Sequence, residues 1–188
     1  MGKMSTTTGE AAAVDRIIRS RRSIRRYQPD DVPDALVREL LDLARHAPSS
    51  MNGQPWRFVL VRHAHTKREL ARIKNAYCPP DKKAFAADFL GTAPVIVVVC
   101  VDSGRSYDRE IENGVLATAF LLLAAWSRGL GSVYLSAYRD DEPRLAAEIR
   151  HLLQLPEGCR PVTIVPLGLP AETPPPKALR TLDVMTSP

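Results

Sequence analysis

The chain has 188 residues, a length that fits one domain, and 45% of them are hydrophobic and 25% charged. That balance excludes a chain that is disordered throughout. The formal net charge of +5 favours an anionic ligand or partner, either a nucleic acid or a phosphorylated cofactor or substrate. The longest apolar stretches, 93–101 and 115–126, are shorter than the ~20 residues of a membrane-spanning helix. We therefore expect no membrane partner.

The predicted elements alternate between helices and strands. Apolar residues at helical spacing predict helices over 11–20, 33–47, 66–76, up to about 90, 107–128 and 143–153. Apolar runs predict strands over 58–61, 95–101, 132–135 and 162–167. Asp31 is a candidate N-cap of the second helix, and Thr66 with Glu69 forms a capping-box pattern at the third. The sum indicates a mixed helix-and-sheet fold.

Two of these elements have unusual apolar patterns. The strand over 95–101 is apolar without alternation, which predicts burial on both of its faces. The helix over 107–128 is apolar nearly all round in its second half, as is typical of a helix in a core or at an oligomer interface. Residues 1–13 are expected to be a flexible N-terminus, and 14–188 a single domain. We expect the C-terminal end of this domain to be an extended arm, because each proline in 170–176 lacks the backbone N–H that a helix requires.

The potential metal ligands and nucleophiles form no recognisable set. Cys78, Cys100 and Cys159 are far apart in the sequence, which indicates neither a disulfide framework nor a zinc site and suits a reducing cytoplasm. The four histidines are scattered, so we expect no metal site. Glycine-rich nucleotide signatures and a GxSxG elbow are also absent from the sequence. Gly129 and Gly131 indicate a helix stop and a tight turn.

A basic cluster follows the first predicted helix. Arg21, Arg22 and Arg25 offer planar, permanently charged groups beside the hydroxyl of Ser23. Such groups suit a bound phosphate and a polyol chain. The alternative is a solvated basic face, which is the usual state of a run of charges.

A second polar segment lies between two prolines, over 48–55, and Trp56 can anchor it in the core. Its short hydrogen-bonding side chains belong to Ser49, Ser50, Asn52 and Gln54. A rigid loop with polar tips is typical of a small-molecule site, and an ordered structural turn is an equal alternative.

Together with two later segments, these stretches resemble the nitroreductase family of flavoproteins. The matching segments are 21–25 (RRSIR), 47–56 (APSSMNGQPW), 129–132 (GLGS) and 167–170 (LGLP), followed by the basic residues Lys177 and Arg180 ahead of 182–184. Each segment is short, but they occur in the family's order and span nearly the whole chain after residue 15.

The resemblance implies an α+β fold, with a mixed sheet flanked by helices, and an intertwined homodimer that binds two FMN molecules at its interface. It also implies an enzyme that passes electrons from NAD(P)H through the flavin to a nitroaromatic, a quinone or a similar small acceptor. In this chemistry the protein positions and tunes the cofactor, so no catalytic acid or base is expected among the side chains.

The resemblance also implies roles for particular residues. The FMN phosphate, the ribityl chain and the polar edge of the ring would be held by Arg21, Arg22, Ser23 and Arg25. The partner subunit would contribute its Pro48, Ser49, Ser50 and Asn52. One face of the ring would lie along Tyr134, Leu135 and Ser136. The phosphate site would be completed by Lys177 and Arg180. The charge of Arg25 would stabilise negative charge on the reduced flavin.

Two other hypotheses remain open at this point. One keeps FMN but changes the reaction to a dehydrogenation or a reductive dehalogenation. The other is a basic nucleic-acid-binding module, which is disfavoured because aromatic residues are only 6% and do not alternate with the basic ones. We therefore expect no nucleic-acid partner. Residues 77–92, where the family often has a lid, carry no recognisable motif, so the electron acceptor is not predicted.

Overall fold

The computed structural model describes residues 8–79, 81 and 85–181. Residues 1–7 of the predicted flexible N-terminus, and 182–184 of the C-terminal pattern, lie outside this part of the chain. The described helices are α1 (Thr8–Ser20), α2 (Asp34–Ala44), α3 (Ala64–Ala76), α4 (Phe89–Thr92), α5 (Glu110–Ser127) and α6 (Arg144–Leu152). The described strands are β1 (Trp56–Val61), β2 (Val95–Asp102), β3 (Gly131–Ser132), β4 (Leu135–Ser136) and β5 (Cys159–Gly168).

The strands form one sheet in the order β1-β2-β5-β3, with β4 also paired to β5. All of these ladders are antiparallel. A parallel bridge between Ser23 and Ser132 adds the segment after α1 to the edge of β3. This combination of helices and sheet confirms the predicted α+β class.

Helices cover both faces of the sheet because β2 is apolar on both sides. Ile96, Val98 and Cys100 belong to a buried cluster with residues of α3 and α6. The alternate positions of β2 belong to a second buried cluster with residues of α2 and α5. The prediction that this strand is buried on both faces is therefore confirmed, and three layers result.

Helix α5 approaches the sheet closely at a glycine. A Cβ on Gly114 would lie 2.7 Å from Cβ of Val162 on β5. One turn later, the hydroxyls of Thr118 and Thr163 share a hydrogen bond of 2.6 Å. The absence of a side chain at Gly114 thus lets helix and strand pack at this short distance.

We expect Gly114→Ala to destabilise the fold even though alanine favours helices. The helix-propensity gain is about 1 kcal/mol, whereas overpacking a core typically costs about 1–3 kcal/mol. Gly91→Ala in α4 is the matched control, because its Cβ would meet Arg68 Cγ at an ordinary 3.5 Å. Urea denaturation measures both. A Gly114→Ala variant as stable as the wild type would contradict the close packing of α5.

Two predicted helix starts are wrong, one because of a distant partner and one beside a local ion pair. Helix α2 begins at Asp34, and Asp31 instead accepts a hydrogen bond from Arg62 at 2.7 Å. Helix α3 begins at Ala64, ahead of the predicted capping box, and its Glu69 pairs with Arg72. In both cases an arginine takes the carboxylate that the local pattern assigned to a cap.

Other element bounds also differ from the prediction. Helix α5 starts at Glu110, because Tyr107 and Asp108 adopt left-handed backbone conformations, with φ of 52° and 56°. In the region up to residue 90, helix α4 begins only at Phe89, and 82–84 lie outside the described residues. The strand predicted over 132–135 is replaced by the two short strands β3 and β4.

No helix in residues 8–79, 81 and 85–181 combines the length and apolar character that a membrane crossing requires. Within the same ranges, histidine, cysteine and carboxylate side chains do not gather in threes that could hold a metal ion. Cys100 and Cys159 are buried free thiols. Residues 169–181, which we call the C-terminal arm, contain no helix and join the rest of the fold through a bridge between Pro170 and Tyr27.

Candidate functional site

The basic cluster, residues 21–28, forms an edge beside β3, and we call it the arginine segment. Its Ile24 is 1% exposed and packs on Gly131, where a Cβ would lie 2.7 Å from Ile24 Cγ2. The amide of Ile24 donates to the carbonyl of Ser132 at 3.0 Å. The buried isoleucine therefore fixes how this charged segment lies on the sheet.

Ser23 and Arg25 lie on the side of the arginine segment opposite Ile24, because successive side chains of an extended chain alternate between faces. Ser23 is half-buried, and Arg25 is exposed. Among the described residues, no acceptor takes a hydrogen bond from the guanidinium of Arg25 or of Arg21. On the neighbouring strand, Ser132 Oγ is buried without a hydrogen-bond partner among those residues.

Arg22 has a different environment from Arg21 and Arg25. Its guanidinium donates to the carbonyls of Arg19 and Arg21, both at 2.8 Å, and to that of Pro175 at 3.4 Å. It borders a groove of about 510 Å³ between α1 and the C-terminal arm, together with Asp15, Ile18, Arg19, Lys177 and Leu179. Lys177 thus lies close to the arginine segment, whereas Arg180 is exposed and does not border this groove.

The C-terminal arm holds the arginine segment through its backbone. The amide of Ala171 donates to the carbonyl of Arg26 at 2.9 Å, and Gln28 donates to Leu169 at the same distance. One carboxylate oxygen of Glu172 accepts from the amides of Arg25 and Arg26. Burial raises the pKa of the Tyr27 phenol, and the nearby Glu172 carboxylate raises it further.

Residues 48–54 form a compact loop, which we call the polar loop. Ser49 Oγ accepts from the amide of Gln54 at 3.0 Å, and the amide of Gly53 donates to Ser50 at 2.9 Å. Asn52 has a φ of 54°, in the left-handed region that asparagine tolerates better than most residues. Its exposed Oδ1 accepts from Gln54 Nε2 at 3.0 Å. The loop is ordered from within and presents Asn52 and Pro48 to the surface.

Asn113, which the motifs did not identify, anchors the polar loop to α5. It is 1% exposed. Its Oδ1 accepts from the amide of Ser50 at 2.9 Å, and its Nδ2 donates to Ser106 at 3.1 Å. Its carbonyl accepts from Trp56 Nε1 at 2.8 Å, which confirms Trp56 as an anchor of the loop. No clear signal in the sequence pointed to this role, because Asn113 lies beside two glutamates in the polar first turn of α5.

We expect Asn113→Ala to destabilise the protein by about 2–3 kcal/mol, because it leaves the amide of Ser50 and the carbonyl of Ser106 without partners. Faster hydrogen exchange confined to the polar loop should accompany this loss. Glu112→Ala is the control, since its exposed side chain makes a surface ion pair with Arg109. Equal stability of the two variants would show that Asn113 does not anchor the loop.

Within one chain, the arginine segment and the polar loop are attached to opposite ends of α5. Trp126 near its C-terminus donates to Ser20 Oγ at 2.7 Å, immediately before the arginine segment. Asn113 near its N-terminus holds the polar loop. These two helix residues are thirteen positions apart, or about 20 Å along the axis at 1.5 Å per residue. The two candidate regions therefore do not form one compact site within a chain.

The three residues expected along the flavin ring differ in accessibility. Tyr134 is 37% exposed, and burial of its ring raises its pKa. Leu135 is 6% exposed, with its side chain in the core cluster beneath α3 and α6. Ser136 Oγ donates to the carbonyl of Tyr138 at 2.5 Å. Tyr134 can therefore offer a ring to a ligand, whereas Leu135 can offer only backbone.

An apolar surface runs along α5 and α1. The exposed fractions are 38% for Leu116, 39% for Phe120, 54% for Val14 and 57% for Ile18. Phe120, Val14 and Ile18 also line an apolar groove of about 340 Å³ between α1, α2 and α5. Large exposed apolar patches of this kind usually mark an interface.

Comparison with known proteins assigns the chain to a family. The profile of the Nitroreductase family matches residues 18–169. A Methanothermobacter thermautotrophicus protein, provisionally named an NADH dehydrogenase/NAD(P)H nitroreductase, is 36% identical over 84% of this chain and 77% of its own. An iodotyrosine deiodinase of Thermotoga neapolitana is 30% identical over 85% and 89% of the two chains. The solved structure of an FMN-dependent nitroreductase from Clostridium difficile superposes with a TM-score of 0.74, at 26% identity over 89% and 92%.

Proposed function

Since the chain belongs to the nitroreductase family, we propose that it is an oxidoreductase that binds FMN and transfers electrons from NAD(P)H to a nitroaromatic, a quinone or a similar small acceptor. The match of the Nitroreductase family profile to residues 18–169 confirms the family that the four sequence segments predicted. Bound FMN supplies the chemistry, because it accepts two electrons from the nicotinamide and passes them on. We also propose a cytoplasmic location, since the three cysteines lie far apart in the sequence and suit a reducing compartment.

The donor set of the arginine segment fits this cofactor, and it is the observation that carries the proposal. The guanidinium groups of Arg21 and Arg25 donate to no acceptor among the described residues, and Ser23 offers a hydroxyl beside them. Next to Ser23, the buried Ser132 Oγ has no partner among the described residues. A buried polar atom of this kind calls for a ligand or a solvent molecule to satisfy it. Cations beside hydroxyls suit a ligand with both phosphate and polyol groups.

We propose distinct roles for the cations. Arg21 holds the phosphate, and Arg25 lies at the polar edge of the ring. Lys177 completes the phosphate site rather than Arg180, since Lys177 borders the groove beside Arg22. Arg22 acts mainly through the backbone carbonyls that it joins.

We propose that the protein is a homodimer and that the polar loop acts in the partner's site, through Pro48, Ser49, Ser50 and Asn52. The separation of the loop from the arginine segment along α5 supports this arrangement. The exposed apolar surface of α5 and α1 supplies a contact surface for a second copy. A two-fold dimer brings unlike regions of the two chains together at each of two equivalent sites.

A second candidate keeps FMN but changes the reaction to a reductive dehalogenation or a dehydrogenation. The similarity to the Thermotoga neapolitana deiodinase favours its inclusion, since the identity of 30% extends over most of both chains. Such an enzyme need not take electrons directly from a nicotinamide. Reduction of the bound flavin by NADH or NADPH therefore separates the two candidates.

The test is a titration of purified protein with FMN, followed by anaerobic addition of NADH or NADPH. We expect the protein to retain stoichiometric flavin through gel filtration, and the flavin absorption to bleach when a nicotinamide is added. Retained flavin that neither nicotinamide bleaches would move the assignment to the second candidate. A protein that retains no FMN would contradict both.

A further inference from the structure

Glu172 on the C-terminal arm makes an unusual contact with the arginine segment. Its Oε1 accepts from the backbone amides of both Arg25 and Arg26, at 2.5 and 3.1 Å. Hydrogen bonds to an ionised acceptor are roughly twice as strong as neutral ones. One carboxylate oxygen thus fixes two successive peptide units.

The surrounding contacts make this carboxylate part of a rigid frame. Ala171 donates to the carbonyl of Arg26, so Arg26, next to Arg25, is held at both its amide and its carbonyl. The side chain of Gln28 donates to Pro170 at 2.9 Å. The guanidinium of Arg25 donates to no acceptor among the described residues. Its location therefore depends on how its backbone is held.

We propose that Glu172 is a positioning residue, which fixes the peptide of Arg25 so that its guanidinium lies at the polar edge of the flavin. This inference rests on the proposed function, which places Arg25 there. Loss of the carboxylate frees the Arg25 backbone and spreads its charge over more positions. The reduced cofactor carries more negative charge than the oxidised one, so it loses more binding energy when that cation moves.

The experiment compares full-length wild type with Glu172→Ala and Glu172→Gln. For each, the affinity for oxidised FMN is measured by fluorescence titration and the midpoint potential by equilibration with a reference dye. We expect Glu172→Ala to weaken binding of reduced FMN about tenfold more than binding of oxidised FMN. For a two-electron couple this lowers the midpoint potential by about 30 mV. The Glu172→Gln amide oxygen can still accept from both amides, so it should restore most of that potential.

Thr173→Ala, at an exposed neighbouring position of the same arm, is the matched control, and its potential should equal that of the wild type. A Glu172→Ala variant that melts at a lower temperature but keeps the wild-type potential would show a purely structural role and overturn the inference. An equal fall in both Glu172 variants would overturn positioning through these hydrogen bonds. Should Glu172→Ala fail to fold, the shorter Glu172→Asp takes its place with the same two outcomes. A wild type without FMN would instead refute the proposed function itself.

Discussion

Replacing Arg21 by alanine is expected to lower the affinity for FMN by about 10- to 100-fold, because a hydrogen bond to a charged group is worth about 1.5–3 kcal/mol. Affinity for riboflavin, which lacks the phosphate, should change little. The fold should tolerate the change, since the Arg21 guanidinium has no acceptor among the described residues. Fluorescence titration with the two flavins, together with urea denaturation, measures both effects.

Arg22→Ala is the matched control, and its expected profile is the reverse. It removes hydrogen bonds to the carbonyls of Arg19 and Pro175, so we expect a loss of stability of about 1 kcal/mol. The loss of FMN affinity should be smaller than for Arg21→Ala. A larger loss of affinity in Arg22→Ala would show that Arg22, and not Arg21, holds the phosphate.

Phe120→Arg is expected to convert the protein into a monomer that retains no flavin. It places a charge in the apolar surface of α5, and an unpaired charge buried at an interface costs about 3–5 kcal/mol. That cost raises the dimer dissociation constant by more than about 100-fold. Light scattering coupled to gel filtration measures the mass, and the absorption spectrum measures the flavin.

The same residue introduced on the opposite layer is the control for this prediction. Ala147 is exposed on α6, away from the apolar surface, and Ala147→Arg should leave both the dimer and its flavin unchanged. A Phe120→Arg variant that stays dimeric would place the dimer interface elsewhere on the chain. A monomer that retained flavin would show that one chain is sufficient for binding.

The sequence predicted the parts of the fold that depend on apolar patterning. The uninterrupted apolar run of β2 predicted burial on both faces. In the structure its residues are buried from Val95 to Val101, and the strand lies between β1 and β5. The apolar half of α5 was predicted to lie in a core or at an interface. Its Leu121 and Ala125 are buried in the core, and the interface stays a prediction that the exposed Phe120 makes testable. Such patterns are read correctly because burial depends on which faces of an element are apolar.

Positions that depend on contacts between distant residues were not predictable. Asp31 has the right chemistry for a helix cap, but Arg62 pairs with it from another part of the chain. The anchoring role of Asn113 requires Ser50 and Ser106 to be near it, and only folding brings them there. Local patterns indicate which residues can cap a helix or form a hydrogen bond, but the choice of partner depends on tertiary packing.

The candidate site likewise combines features that the sequence predicted with features that depend on tertiary contacts. The cluster of arginines and the polar loop were both identified from residue types. The difference between Arg21 and Arg22 could not be, because it depends on the carbonyls that surround Arg22 in the folded chain. Glu172 was likewise not identified, since its partners lie in the arginine segment far away in the sequence.

The most direct test of the central claim, that each flavin site combines the arginine segment of one subunit with the polar loop of its partner, uses mixed dimers. Arg21→Ala and Asn52→Gly chains carrying different affinity tags are co-expressed, and only the mixed dimers are purified. Glycine is chosen because it tolerates the left-handed backbone at position 52.

A second mixed dimer pairs a wild-type chain with the double variant, and flavin per dimer is measured by absorption for both. We predict about half of the wild-type flavin in the first dimer, because it has one intact site and one doubly altered site, and almost none in the second. The reverse result, with flavin in the second mixed dimer and none in the first, would show that each site is built within a single chain and would contradict the claim.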